Sequence, residues 1–291
     1  MSIKHPIISV TGSSGSGTTS VRHTFENIFR REDVKAAFVQ GDAFHRYDRI
    51  GMEQAMVKAE KLGDPNFSHF GPKANLLEDL ETLFRTYSEN GKGQTRQYIH
   101  DDNEARIAKC KAGTFSPWAE IEPGTDLLLY EGLHGAVVTD DVNLARYADL
   151  KIGVVPVINL EWIQKIDRDR AHRGYTTAEV TEAILRRMPD YVRYICPQFT
   201  ETDINFQRVP TVDTSNPFTA RWIPTPDESM VIIRFKEPRG IDFAYLLSMI
   251  HDSFMSRANS IVIPGGKLDL AMQLILTPLI LQLVERRRRA L

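Results

Sequence analysis

Residues 10–21 read VTGSSGSGTTSV. Gly12 and Gly17 fall on the two glycines of G-x-x-x-x-G-K-[ST], a loop whose backbone N–H groups cradle phosphates, and Thr19 takes the place of the metal-binding hydroxyl. Thr18 stands where that pattern has lysine. The loop from Gly12 through Ser13, Ser14, Gly15, Ser16, Gly17, Thr18 and Thr19 to Ser20 is expected to hold a nucleotide polyphosphate, because backbone donors and a helix N-terminus converge there. An ordinary tight turn is the plain alternative. A dinucleotide fingerprint fails: Gly15 and Gly17 fit G-x-G-x-x-G, but its third glycine falls on Ser20. The positive charge missing at Thr18 has to come from elsewhere in the chain.

Three other stretches carry residue types suited to phosphate chemistry. LLLYEG ends an apolar strand in a carboxylate, Glu131, the position from which Mg²⁺ is held directly or through water, although many buried strands end in an acid by chance. QGDAFHRYDR, residues 40–49, sets Asp42 at a strand end, with His45, Arg46 and Arg49 close behind. Asp42 there suits a general base on a substrate hydroxyl, and His45 and Arg49 suit its phosphate; a capping aspartate among solvated charges is the competing reading. NLEWIQKIDRDRAHRGYT, residues 159–176, places Lys165, Arg168 and Asp169 on one helical face, followed by Arg170, Arg173 and a glycine stop. This cationic arm is expected to close over phosphates, exclude water and supply the missing charge; otherwise it is a solvated helix. QTRQYIHDD, residues 94–102, reads as a hairpin offering Arg96, Tyr98 and His100, or as a plain surface hairpin. The histidines match no metal-ligand spacing, and His5, His23 and His251 read as surface or packing residues.

The elements that must position these groups follow from hydrophobic pattern. IISV (7–10), AAFVQGD (36–42), TDLLLYEG (125–132) and DLKIGVVPVI (149–158) read as buried strands, and Val21, Phe25, Ile28 and Phe29 fall at helical spacing. Leu76, Leu77, Leu80, Leu83, Phe84 and Tyr87 line one face of a helix over 75–87. Alternating strands and helices indicate an α/β fold, a mixed, mainly parallel central sheet flanked by helices. FQRVPTV and SMVIIRFK add strands after residue 200, followed by a helix expected over 242–257 and a terminal helix kinked at Pro278. One domain over residues 1–291 is expected, with a C-terminal subdomain from about 200 as the alternative.

Composition limits the class. At 42% hydrophobic, 25% charged and a net charge of -2, the 291 residues suit a folded chain with no global nucleic-acid field. Cys110 and Cys196 form no C-x-x-C, which points to a reduced, cytoplasmic protein. LDLAMQLILTPLILQLV is interrupted by Asp269, Gln273, Pro278 and Gln282 and is expected to fall short of the ~20 residues of a membrane span. ERRRRAL reads as a solvated helix end.

HPIISVTGSSGSGTT, GDAFHR, YEGLHGAVV, DLKIGVVPVINLEWIQKI, RGYT, DINFQRVPTVDTSNPF and MSRANSIV together resemble the phosphoribulokinases, of the phosphoribulokinase/uridine kinase P-loop family, over essentially the whole chain. The resemblance is to the bacterial form, in which threonine after the second glycine is usual. It implies a nucleotide-monophosphate-kinase-like fold that uses ATP and Mg²⁺ to phosphorylate ribulose 5-phosphate at O1 in the Calvin cycle. It assigns Asp42 as catalytic base, Asp169 as a catalytic carboxylate, and Thr19 and Glu131 to the metal. Lys165, Arg168, His45, Arg49 and Arg173 would bind sugar phosphate or ATP phosphates, and Tyr98, His100 and His134 complete the expected acceptor side. The plant-type enzyme carries regulatory cysteines near this loop; Ser13, Ser14 and Ser16 stand here, so redox control through the loop is not expected. Bacterial relatives are homo-oligomers, commonly octamers, activated by NADH, for which Arg31, Arg234 and Arg257 are candidate effector positions. The rivals are a uridine kinase or a kinase for another sugar phosphate. A GTP-binding switch lacks its N-K-x-D, and a nicotinamide oxidoreductase lacks its fingerprint. No nucleic-acid or membrane partner is expected.

Overall fold

The strands, in chain order, are β1 (Ile7–Thr11), β2 (Ala36–Gln40), β3 (Gln94–Thr95), β4 (Ala119–Glu120), β5 (Leu127–Gly132), β6 (Leu150–Val155), β7 (Ile204–Pro210), β8 (Ser229–Phe235), β9 (Phe254–Arg257) and β10 (Ser260–Pro264). The helices are α1 (Thr18–Arg31), α2 (Arg49–Lys61), α3 (Leu77–Asn90), α4 (Asp102–Ala108), α5 (Ile158–Arg173), α6 (Thr177–Asp190), α7 (Gln198–Glu201), α8 (Phe243–Met249) and α9 (Leu268–Ala290). This computed structural model describes residues 2–13, 18–155, 157–220 and 222–290, with the side chains of residues 18–20, 172 and 173 left out. The expectations placed on Ser14, Gly15, Ser16 and Gly17 therefore fall outside the described residues.

Eight strands form one sheet in the order β2-β5-β1-β6-β7-β8-β10-β9, parallel from β2 to β7 and antiparallel beyond. The central β1, IISVT, is buried at all five positions, Ser9 and Thr11 included, as befits a strand covered on both faces. Alternate residues serve two cores. Ile8, Val10, Leu127, Leu129, Ile152 and Ile233 pack with α1 and α9, whereas Ile7, Leu128 and Tyr130 pack with α3. β8 alternates buried and half-buried positions, as a strand with one well-covered face does.

The chain's crossings change side around β1: β2 and β5 lie on one flank and β6 on the other. At such a switch point, the crevice beyond the strand C-termini is where open sheets bind ligands.

Three expectations change. The helix over 242–257 stops at Met249; Asp252 turns the chain at φ 63° and Phe254–Arg257 pairs with β10 instead. The open edge of β10 thus decides the fate of residues that helical spacing alone assigned to a helix. The 94–102 hairpin is not local, since Gln94–Thr95 pairs with Ala119–Glu120. Asp101 accepts hydrogen bonds from the backbone of Asn103 and Glu104, so the acidic pair starts α4 rather than closing a turn. The terminal helix runs unbroken through Pro278 for 23 residues, long and apolar enough by composition to cross a bilayer. Its polar breaks do not shorten it, because Asp269 and Gln282 point outward while Ala271, Met272, Ile275, Leu276, Ile280 and Val284 pack on the sheet.

Candidate active site

β1, β2 and β5 are adjacent and parallel, so their C-terminal ends bring Gly12–Ser13, Asp42 and Glu131 to one edge of the sheet. Two glycines allow the approach. A Cβ on Gly41 would lie 2.8 Å from the Gly132 Cα and 2.6 Å from the Tyr130 hydroxyl, and one on Gly132 would lie 2.6 Å from the Gly41 Cα. The GD and EG pairs are therefore one steric requirement, and each glycine delivers the acid beside it. Gly12 N–H donates to the Gly132 carbonyl at 3.1 Å, fixing the loop entry to the Glu131 strand.

Buried Gln198 completes this frame. Its Oε1 accepts from Thr11 Oγ1 and Ala136 N, each at 3.0 Å, and its Nε2 donates to the carbonyls of Leu133 and Tyr194. It ties the end of β1 to the segment after Glu131.

Asp42 lies in a 3₁₀ turn, Gly41–Phe44, one residue past β2. Its Oδ1 is 3.1 Å from His45 Nε2 and its Oδ2 is 3.4 Å from His100 Nε2. The state of His45 follows from its other side. Asn75 Nδ2 donates to the carbonyls of His69 and Gly71, which turns its Oδ1 toward His45 Nδ1 at 2.9 Å and makes that nitrogen the donor. With Nε2 against a carboxylate, His45 is an imidazolium. Burial opposes this charge, yet Asp42 outweighs it and raises the His45 pKa. Burial likewise pushes the Asp42 carboxyl up, but the charges of His45 and His100 hold it far below the usual carboxylate range.

Arg96 anchors this turn from the outside. It donates to the Ala43 and His45 carbonyls at 2.8 Å each and lies between Phe115 and Trp118, 3.6 and 4.6 Å from their ring centres. Arg49 donates to the His100 carbonyl at 2.9 Å, and the Tyr98 ring packs on His100.

α5 forms the opposing wall. Lys165 and Asp169, both buried, are joined through Nζ and Oδ2, and Arg168 reaches Asp169 Oδ1 through Nη2 at 3.0 Å. Burial and Arg187 lower the Lys165 pKa to about 8, against the pull of Asp169. The arm expected from sequence to close over phosphates is, at Lys165, packed in place and not the solvated helix of the alternative: Lys165 is buried, and Ile166 on the same helix meets Val180 and Ile184 of α6. Gly174, in the left-handed region at φ 72°, ends α5, and a Thr176–Glu179 capping box starts α6 two residues later.

Glu161, in the first turn of α5, is 6% exposed and faces Ser13 of the loop, Arg187, Lys165 and Tyr191. Burial pushes its pKa from 4.5 up to about 7. Between those values the folded chain holds a proton that the unfolded chain has lost, so this group's contribution to stability falls as pH rises, by about 3 kcal/mol at most. Glu161→Gln is expected to raise the melting temperature by several degrees at pH 8 and by much less at pH 5. An equal shift at both pH values would detach the effect from ionisation.

The two walls enclose a cleft of about 1150 Å³. Among its lining residues are Gly12, Asp42, His45, Arg49, Tyr98, His100, Glu131, Lys165, Arg168 and Asp169, so residues proposed from five separate stretches share one space. His134 is placed behind this wall: buried, donating from Nε2 to the Phe70 carbonyl at 3.0 Å, with its pKa lowered to about 4 by burial. It is neutral there. The backbone of residues 18–20 and 173 lies in α1 and α5, but their side chains are outside the description.

Arg31 donates to Gln273 and Thr277 of α9, and Arg234 donates to the Phe199 carbonyl on the opposite face of the sheet, while Arg257 is exposed on β9. Sequence reasoning missed Asn75, Glu161, Arg187 and Gln198, which carry no motif; Arg187 was in plain view only as one of many basic residues.

No group of three or more acidic, His or Cys side chains is arranged to hold a metal ion among the described residues. Mg²⁺ needs none, since it takes one or two carboxylates and fills its shell with phosphate oxygens and water. Glu131, half-buried on the cleft beside the loop entry, fits that donor set.

The entry of a P-loop sequence at Gly12, a carboxylate held ionised at Asp42 and a buried lysine at Lys165, all lining one cleft beyond a mainly parallel sheet, are the features of a P-loop kinase, a phosphotransferase. The Phosphoribulokinase / Uridine kinase family model matches residues 7–215. The chain is 71% identical over 290 residues to a phosphoribulokinase of Xanthobacter flavus, covering 100% of both, and 70% identical over 287 residues to one of Nitrobacter vulgaris, covering 99% of both. The solved phosphoribulokinase from Rhodobacter spheroides superposes with a TM-score of 0.91 at 62% identity, over 99% of this chain and 100% of that one. The chain belongs to the phosphoribulokinase/uridine kinase family.

Proposed function

We infer that the chain is an ATP-dependent phosphoribulokinase, transferring the γ-phosphoryl group of ATP to O1 of D-ribulose 5-phosphate to give ribulose 1,5-bisphosphate in the Calvin cycle. The observation that carries this reading is the Asp42–His45–His100 cluster, a base set among groups that bind an anionic acceptor, facing Lys165 across the cleft. Uridine carries no phosphate for such a wall to bind.

Residues Gly12 to Ser20 hold the triphosphate, while Thr19 and Glu131 would hold Mg²⁺, which when bound neutralises β- and γ-phosphate charge. His45, Arg49 and His100, with Tyr98 and Arg173, orient the sugar phosphate so that O1 faces the γ-phosphorus. His134 acts by shaping the wall. Asp42 accepts the O1 proton as the bond to phosphorus forms. A carboxylate held this acidic is a weak base, which suits a loose transition state that asks little deprotonation beforehand. Acceptor phosphate that shares His45 and His100 weakens their hold on Asp42 and makes it more basic. Lys165 and Arg168 neutralise charge developing on the transferred group, with Asp169 holding both in place.

The same reading extends to a cytoplasmic homo-oligomer, an octamer, activated by NADH. Arg31, at the end of α1 against α9, and Arg234, on β8 against Phe199, lie on opposite sides of the sheet, so an effector touching both would bridge two copies. ADP release measured with ATP and ribulose 5-phosphate, with uridine in its place, and with and without NADH tests the whole. Ribulose 5-phosphate-dependent turnover is expected, and its absence overturns the reading. Sedimentation or light scattering decides the assembly independently.

A further inference from the structure

His69 has no part in the mechanism above, yet it lines the cleft and lies directly on His45, with ring centres 4.2 Å apart and planes at 33°. We propose that His69 is a substrate-binding residue of the acceptor subsite: a neutral imidazole, stacked on charged His45, that donates a hydrogen bond from Nε2 to a hydroxyl or carbonyl oxygen of the sugar phosphate. The proposal rests on the acceptor reading given above and names one more residue that serves it.

Its protonation state follows from its surroundings. His69 Nδ1 is buried and has no hydrogen-bond partner among the described residues. An orphaned buried N–H is rarer and costlier than an orphaned lone pair, so the ring carries its single proton on Nε2. A second charge would place a buried, unpaired N–H⁺ against the His45 imidazolium. Burial and His45 accordingly hold the His69 pKa well below its ordinary value. The ring is therefore a donor without charge. Phosphate oxygens have cations to meet in this cleft; a neutral donor matches the uncharged oxygens of the sugar.

The backbone around it is fixed in advance. The His69 carbonyl accepts from Asn75 Nδ2 at 2.8 Å, the same amide whose oxygen faces His45 Nδ1. Ser68 Oγ donates to Asp190 at 2.8 Å and accepts from Phe70 N at 3.2 Å, and the Phe70 carbonyl takes the His134 bond. One neighbour on each side of His69 is pinned, so its ring is held for binding and not only for fill.

The test compares His69→Phe, which keeps a flat ring and removes the donor, with His69→Gln, whose Nε2 reaches the level of the lost imidazole Nε2. Steady-state kinetics in both substrates are read beside melting curves. The Phe variant is expected to lose about tenfold in kcat/KM for ribulose 5-phosphate, the worth of one hydrogen bond, with KM for ATP unchanged. Gln restores most of that loss. His69→Asn, whose donor sits at the level of Nδ1, does not, and this Gln–Asn contrast decides the matter even where the Phe variant unfolds. Unchanged kcat/KM in the Phe variant, equal losses in Gln and Asn, or a parallel rise in KM for ATP overturns the proposal. Wild-type protein without ribulose 5-phosphate turnover overturns the acceptor reading itself and this proposal with it; normal wild-type turnover beside an unaffected Phe variant overturns the role of His69 alone.

Discussion

Asp42→Asn lowers kcat by about 10³-fold, within the range of a lost general base, while ATP binds as before. The substitution keeps the size of the side chain and its place in the Gly41–Phe44 turn, which Arg96 holds through two carbonyls. What it removes is the proposed acceptor of the O1 proton and, in the same stroke, the counter-charge of His45. With the carboxylate gone, burial prevails and the His45 pKa falls, since Asp42 is what raises it. KM for ribulose 5-phosphate in the variant should therefore begin to climb at a lower pH than in wild type, as His45 gives up its proton earlier. Nucleotide affinity, set at the loop, is the internal control. A kcat within tenfold of wild type would remove Asp42 from the base role.

How much of this was legible in the sequence depends on how far apart the cooperating residues lie. Asp42, Glu131 and the Lys165–Asp169 group each sit inside a short run whose pattern also announces its element, an apolar strand or a charged helix face. The parallel sheet then does the assembly, because strand C-termini share an edge. Gly41 and Gly132 look like punctuation until 91 positions of chain are folded and a Cβ on either would strike the other. His45 was readable as a neighbour of Asp42, but the donor role of its Nδ1 is set by Asn75, 30 residues on, and Gln198 reaches Thr11 across 187. No local pattern marks such partners. The misread helix at 242–257 has the same origin: spacing suited a helix, and pairing with β10 outweighed it.

Lys165→Met tests where the charge absent at Thr18 is made good. Loss of one preorganised charge aimed at a transferring phosphoryl group costs kcat about 10²–10³-fold, and that is the expected result. Lys165 is suited to the task because it is buried, 6% exposed, and kept charged by Asp169 while burial and Arg187 draw its pKa down to about 8. A lysine works here only when protonated, so wild-type kcat/KM for ATP falls as pH rises through about 8. In the methionine variant this alkaline limb should flatten, since the group that titrates is gone. The change also leaves Asp169, 3% exposed, with one fewer cation, so melting temperature must be followed alongside. Lys165→Arg separates the two effects: it keeps a charge for Asp169 but moves the limb beyond the accessible range, because guanidinium does not titrate there. If the methionine variant turned over at the wild-type rate with its alkaline limb intact, the compensating charge would have to lie elsewhere, and Arg187, already lining the cleft beside it, would be the next residue to replace.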